Sequence, residues 1–223
     1  MRLWFLLIVG LVGTGILVWL GTWQVQRLAW KQDLLARIDA QIGADPVPLG
    51  DAVTPKLQRY APVTLNGRFG QGNVRMLASR KSIGPVHRII RPFDAEGFGR
   101  VLVDTGWLPD GAEVPAAPSA SLTLIGNLDA PQEADGFTPA PDRAANLWFA
   151  RDVPAMAETL DTQPILVVLR DAPEMNLGVT PWPVDTAGIP NDHLQYAITW
   201  FSLALIWGAM TGLFLLRTRR GAR

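Results

Sequence analysis

The sequence has no cysteine and only two histidines among its 223 residues. Without cysteine the chain cannot form disulfides, carry out thiol redox chemistry, attach a c-type haem or hold a metal through thiolates. It also lacks the Gly-x-Ser-x-Gly, His-Glu-x-x-His, P-loop and dinucleotide-binding motifs. These absences argue against a conventional hydrolase or nucleotide-dependent enzyme, and they require any cofactor to be held by other side chains.

Charged residues are missing from two long apolar blocks, residues 3–20 and 196–216. As a helix, even the shorter block spans roughly 27 Å, close to the hydrocarbon thickness of a bilayer. We therefore predict transmembrane helices at 3–23 and 194–216, with a domain at 24–193 between them. A signal peptide is the competing interpretation of the first block, but no small-x-small cleavage site follows it.

The distribution of basic residues predicts the orientation in the membrane. Four arginines follow the second block, whereas no Lys or Arg lies between Asp171 and Leu194. Because basic residues favour the cytoplasmic side, we place the basic tail, residues 217–223, in the cytoplasm. Two spans put both termini on one side, so the central domain is predicted to lie in a periplasm or its mitochondrial equivalent. A weaker argument for the opposite orientation comes from Arg2, Arg27, Lys31 and Arg37 around the first block.

The formal net charge is zero, but the charges are unevenly placed. All 20 acidic residues lie between the two apolar blocks, with 15 of the 20 basic residues, so this region carries about five negative charges. A domain of that charge is not expected to bind nucleic acid. The expected partner of the apolar blocks is the lipid bilayer.

Between the blocks, the spacing of apolar residues first favours a helical extension over 24–42 and then short strands separated by turns. Asp152 is predicted to cap one short helix. The predicted fold class is therefore α+β: a membrane protein whose two terminal transmembrane helices flank a mainly antiparallel β domain outside the cytoplasm, built as a sandwich or partly open barrel. The predicted strands are 60–69, 73–80, 86–93, 100–108, 122–128 and 165–170.

Two residues of the predicted β domain could carry chemistry. Asp104 stands in an Asp-Thr-Gly triplet after a hydrophobic run, as in aspartic proteases, which need two carboxylates sharing a proton. Only one triplet is present, so a protease would need a dimer that pairs two Asp104 residues. We interpret the triplet as a strand ending in a turn. His87 alternates with apolar residues and is predicted to lie on the solvated face of a strand.

His193 stands where the second apolar block begins, at the predicted outer boundary of the membrane. Helical spacing aligns it with Tyr196 and Trp200, and Trp19 and Trp23 mark the same depth on the first helix. We predict an aromatic-walled slot with one imidazole at its mouth, suited to haem iron and a flat macrocycle. The alternative is that these aromatic residues form an interfacial belt and that His193 is a boundary residue.

Four segments in order resemble the Surfeit-locus protein one family: 20–31 (LGTWQVQRLAWK), 106–109 (GWLP), 148–157 (WFARDVPAMA) and 190–201 (PNDHLQYAITWF). The resemblance implies an assembly factor for haem-copper terminal oxidases, mainly of the cytochrome c oxidase type, and not an enzyme. Bacterial members are implicated in holding haem a, and the family's proposed haem ligand matches His193. The sequence departs from the family at Asp104-Thr105, where relatives usually have an arginine just before the glycine.

From this resemblance we expect a bacterial inner-membrane protein that binds haem a, with His193 as the ligand of the haem iron. Tyr196, Trp200 and Trp23 are the other expected haem-binding residues, and the expected partners are oxidase subunit I and haem A synthase. The alternative is a scaffold for oxidase subunits that binds no haem. Arg27 and Lys31 could face haem propionates or lipid phosphates, and lipid phosphates are the favoured partner.

Overall fold

The computed structural model describes residues 2–53 and 59–220, which form four helices and eight strands. Two of the helices, α1 (Arg2–Ile42) and α4 (His193–Arg220), are long and apolar enough to cross a membrane. The other two helices are short: α2 (Leu49–Ala52) and α3 (Val153–Leu160). The strands are β1 (Val47–Pro48), β2 (Pro62–Phe69), β3 (Val74–Arg80), β4 (Gly84–Ala95), β5 (Gly99–Pro109), β6 (Leu122–Asp129), β7 (Leu147–Trp148) and β8 (Leu166–Asp171).

The chain divides into two compact units, which are described separately. One contains Met1–Arg37 and Thr186–Arg223, and the other contains Ile38–Asp185. The predicted helical extension over 24–42 is confirmed, because α1 runs without a break to Ile42. The division falls after Arg37, inside α1, whereas the sequence placed the domain boundaries at residues 24 and 193.

Small residues line the seam between α1 and α4. A Cβ atom added at Gly13 would lie 2.6 Å from Nε1 of Trp207, and one added at Gly21 would lie 2.7 Å from the Phe201 ring. One added at Gly10 would overlap the Thr211 side chain. Glycines at such positions let two helix backbones approach closely, which is how apolar helices associate where no hydrophobic driving force acts between them.

The β unit is built around a closed ring of five strands in the order β2, β6, β8, β5 and β4. The ring closes because the end of β4 also pairs with β2, with Gly67 opposite Ala95 and Phe69 opposite Phe93. The pairs β1–β2, β3–β7 and β5–β8 are parallel and the others antiparallel. The predicted fold class, two terminal apolar helices flanking a mainly antiparallel β domain, is confirmed.

Two apolar cores stabilise this unit. One includes Val63, Phe93 and Leu124, which all come from strands of the ring. The other packs Met156 of α3 against strand residues such as Ile90 and Leu102. The side chain of Asp152 accepts a hydrogen bond from the Ala155 N–H at 3.2 Å, so the predicted N-cap of α3 is confirmed.

Two sequence predictions about the β unit are wrong. His87 is buried, not solvated, because β4 is covered on both faces from Val86 to Phe93. Burial lowers the pKa of His87, with a further contribution from Arg75 that Asp110 partly opposes, so the neutral ring is favoured. Asp104 does not end a strand, because β5 continues through it to Pro109.

Gly106 is a position in β5 where a side chain cannot fit. Its φ is +128°, and a Cβ there would overlap the carbonyl oxygen of Thr180, which accepts a hydrogen bond from the Trp107 N–H at 2.8 Å. Gly111 also has positive φ, +77°, but nothing lies within 4 Å of an added Cβ. A side chain at Gly106 would therefore meet both an unfavourable backbone conformation and a steric clash, whereas one at Gly111 would meet only the unfavourable conformation.

We expect Gly106→Ala to lower the free energy of unfolding by about 3 kcal/mol, the upper end of the cost of a strained backbone position. Gly111→Ala should cost about 1 kcal/mol, because only the left-handed conformation is penalised. Urea titrations of the detergent-purified protein, followed by circular dichroism, measure both. If Gly106→Ala and Gly111→Ala lowered the free energy of unfolding equally, the contact with Thr180 would not constrain this strand.

Candidate functional site

His193 is the first residue of α4. The helix begins there because the Tyr196 N–H donates to the carbonyl of Asp192 at 3.1 Å, and Pro190 lies just upstream. The imidazole is partly buried, so it is held by the helix pair and still has a face open to a ligand. This placement at the head of the second apolar helix is the one that the sequence predicted.

The Nδ1 atom of His193 lies 2.8 Å from Oε1 of Gln24, on the opposite helix. Gln24 is only 9% exposed, although its side chain is an amide in a largely apolar helix. With the amide oxygen facing the ring, this contact is a hydrogen bond when Nδ1 carries the proton and donates it. In that tautomer the lone pair lies on Nε2, one of the two ring nitrogens through which imidazole coordinates metals.

Small residues on both helices hold these two side chains together. Gly21 lies about one turn before Gln24 on α1 and faces Phe201. Ala197 lies about one turn after His193 on α4 and is almost fully buried. The close approach that these residues permit brings the amide within hydrogen-bonding distance of the ring.

The aromatic residues of the predicted slot flank this seam and do not fill it. Trp23 is 46% exposed and Tyr196 is 55% exposed, while Trp200 is partly buried. Trp19 is also exposed. Their rings are therefore available to a ligand that approaches the outer surface of the helix pair, and their contact with a macrocycle stays a prediction.

The basic residues after the first apolar block include Arg27, whose guanidinium lies 3.8 Å from the centre of the Trp30 ring. Such a cation–π pair holds the charge beside an exposed aromatic surface. Arg27 is itself exposed and Lys31 is partly buried. Both positions suit contact with an external anionic group.

The donor set of this site fits a haem better than a bare metal ion. Among the described residues, no group of three or more His, Asp or Glu side chains could hold a metal. A haem supplies its own equatorial nitrogens, so one axial imidazole from the protein is enough. A histidine whose second nitrogen is fixed by a hydrogen bond is the usual form of such a ligand.

The other candidate, Asp104, is held in a buried ion pair and has a structural role. It is 1% exposed, and one of its oxygens accepts a hydrogen bond from Nε of Arg88 at 2.6 Å. Its other oxygen accepts from the Gly106 N–H at 3.3 Å. A protease formed by pairing two Asp104 side chains would require both to leave this environment, so the geometry opposes that hypothesis.

Sequence reasoning missed Gln24. Its type and its place beside Trp23 indicate only a polar residue near a membrane boundary. The available signal was its helical spacing from Gly10, Gly13 and Gly21, which places a polar side chain on a face of small residues.

The sequence profile of the SURF1 family matches residues 11–205, a span that includes Gln24, the β unit and His193. The rat and human proteins named Surfeit locus protein 1 are each 29% identical to this chain, over 225 and 227 residues. Each comparison covers 90% of this chain, with 71% of the rat protein and 73% of the human one.

A bacterial relative matches over nearly its whole length. The SURF1-like protein of Rickettsia felis is 27% identical over 208 residues, which is 89% of this chain and 91% of that protein. The profile match covers most of the chain, including both apolar helices in part and the whole β unit. The chain therefore belongs to the SURF1 family.

Proposed function

We propose that this protein is an assembly factor for haem-copper terminal oxidases of the cytochrome c oxidase type, and that it holds haem a on the way to oxidase subunit I. The observation that carries the proposal is the hydrogen bond between Gln24 and His193, which leaves Nε2 of a partly buried imidazole ready to coordinate iron. The family resemblance supplies the oxidase as the destination.

In this proposal the protein binds and orients haem and performs no catalysis. His193 would hold the iron through Nε2, while Trp23, Tyr196 and Trp200 would cover the macrocycle. When bound, the haem supplies the redox-active iron that the oxidase needs. A single axial ligand suits a carrier, because it leaves the iron exchangeable.

The proposed location is the cytoplasmic (inner) membrane of a bacterium, with both termini in the cytoplasm. The arginines after the second apolar block support this orientation, in which His193 would lie at the outer boundary and the β unit in the periplasm. The haem would arrive laterally from haem A synthase, and the β unit would dock the synthase or the nascent oxidase. Arg27 and Lys31 would contact lipid phosphates.

An absorption spectrum tests the proposal. The wild-type protein, purified in detergent from cells that make haem A, should show a haem spectrum that is lost or shifted in His193→Ala. The matched control is His87→Gln, which removes the other histidine and should keep the spectrum. A haem spectrum that is the same in wild type and His193→Ala would contradict the assignment of the ligand.

A scaffold that binds no haem is the second candidate. One observation favours it: the bond between Gln24 and His193 also links α1 to α4, so it can serve to join two apolar helices. This candidate predicts that the purified wild type carries no haem yet still co-purifies with oxidase subunits. It also predicts that His193→Ala leaves the haem content of the oxidase normal.

A further inference from the structure

Gln24 is a buried amide in a seam that is otherwise built from small and apolar residues. Its neighbours along the α1 face are Gly21, which contacts Phe201, and Thr14, whose hydroxyl donates to the carbonyl of Gly10 within the same helix. The side chain of Gln24 instead bonds across the seam to His193. An amide in such a position is costly unless it is paired, so its bond to His193 is informative.

The direction of this hydrogen bond determines which nitrogen of His193 is available. Oε1 of Gln24 lies 2.8 Å from Nδ1, and if it accepts the Nδ1 proton the lone pair lies on Nε2. In the opposite tautomer the amide would have to turn its NH2 group toward Nδ1, because Nδ1 and Oε1 would otherwise be two acceptors facing each other. With its oxygen turned toward the ring, Gln24 favours the Nδ1–H tautomer, and its bond to Nδ1 also fixes the rotation of the ring.

We propose that Gln24 is the positioning residue of the haem site: it holds His193 in the Nδ1–H tautomer, with Nε2 directed outward for iron. This inference rests on the proposed function, because it assumes that His193 is the ligand. A partner at the second nitrogen of a metal-bound histidine increases the basicity of the ligand, and its loss typically lowers metal affinity about 10- to 100-fold.

The first test needs no haem. The protein is labelled with ¹⁵N-histidine, and the imidazole nitrogen shifts are recorded in detergent at neutral pH. With only two histidines in the chain, His87→Gln assigns the signals. We expect the wild-type His193 to be the Nδ1–H tautomer, and Gln24→Leu to shift the ring toward the Nε2–H form.

The matched control is Gln26→Leu, which removes the same side chain from an exposed position two residues further along α1. It should leave the tautomer unchanged. Size-exclusion chromatography of each variant tests whether it remains folded and monodisperse. An Nε2–H tautomer in the wild type, or a tautomer that Gln24→Leu does not alter, would overturn the proposal.

The second test uses the protein loaded with ferrous haem. A carboxylate accepts the Nδ1 proton more strongly than an amide, so Gln24→Glu should raise the iron–histidine stretching frequency in resonance Raman spectra. Gln24→Leu should lower it and weaken haem binding about 10- to 100-fold. A merely structural role would not produce shifts of opposite sign, so equal frequencies in both variants would overturn the positioning role.

The two tests also separate this inference from the function on which it rests. If the tautomer responds to Gln24→Leu but the wild type takes up no haem, the proposed function fails, and Gln24 only joins the two helices. If haem binds through His193 and neither the tautomer nor the Raman frequency depends on Gln24, the positioning role fails alone.

Discussion

Replacing Arg88 by methionine should lower the free energy of unfolding of the β unit by about 3–5 kcal/mol, the cost of removing one member of a buried ion pair. Both Arg88 and Asp104 are buried, and their charges meet at 2.6 Å. Arg88 also donates to the carbonyl of Trp182 at 3.1 Å and lies 4.6 Å from the centre of that ring. Methionine cannot replace the ion pair with Asp104 or the contacts with Trp182, because it has no charged or hydrogen-bond-donating group.

The cost arises from the carboxylate that the substitution leaves behind. Burial raises the pKa of Asp104, and the guanidinium of Arg88 opposes that effect. Without Arg88 the buried carboxyl must take up a proton or remain charged without its partner, and either outcome penalises the folded state. Urea unfolding of the detergent-purified variant, followed by circular dichroism, measures the loss.

Two further variants identify the source of this cost. Adding Asp104→Leu to Arg88→Met should recover much of the stability, because no buried charge then remains. Arg100→Met breaks the exposed pair with Asp94 and should cost less than about 1 kcal/mol. If Arg88→Met cost no more than Arg100→Met, the buried pair would not stabilise the fold as argued.

His193→Gly should reduce the affinity for haem by more than about 100-fold, because loss of the ligand exceeds the 10- to 100-fold cost of losing a ligand's hydrogen-bond partner. Titration of haem into the detergent-purified variant, with His87→Gln beside it, measures the effect. His87 is buried in the β unit, so its removal should leave the affinity within a few fold of the wild type. An undiminished affinity in His193→Gly would exclude this histidine as the ligand.

Much of the fold follows from local pattern in the sequence. The predicted strand at 122–128 is observed as Leu122–Asp129, and that at 73–80 as Val74–Arg80, because turn residues and alternation mark their ends. The sequence did not predict β1 and β7, because each has only two residues and so shows no alternation of apolar and polar side chains.

The two wrong predictions, for His87 and Asp104, arise from pairing between strands that are distant in the sequence. His87 follows the alternation expected of a strand with one solvated face, but β4 is shared between the ring and the pairing with β3 and is covered on both sides. Asp104 lies two residues before a glycine, a pattern typical of a strand end, but the positive φ of Gly106 allows β5 to continue past an irregularity in its pairing with β4. Neither environment is encoded in neighbouring residues.

The candidate site was predictable in part. The position of His193 at the head of an apolar helix follows from hydropathy alone, and the nearby aromatic residues follow from helical spacing. The partner of its Nδ1 atom does not, because Gln24 lies 169 residues away along the chain and meets the ring only when α1 and α4 pack. Tertiary packing therefore supplies the polar partner of His193.

The most direct measurement is a resonance Raman spectrum of ferrous His193→Gly, loaded with haem in the presence of imidazole. Removing the side chain leaves space at the axial position, and free imidazole should restore an iron–imidazole stretching band and much of the lost haem binding. Restoration by imidazole, together with loss in its absence, is the result that a haem carrier with His193 as ligand predicts. An iron–histidine band that persists in His193→Gly without imidazole would contradict it, because another residue would then hold the iron.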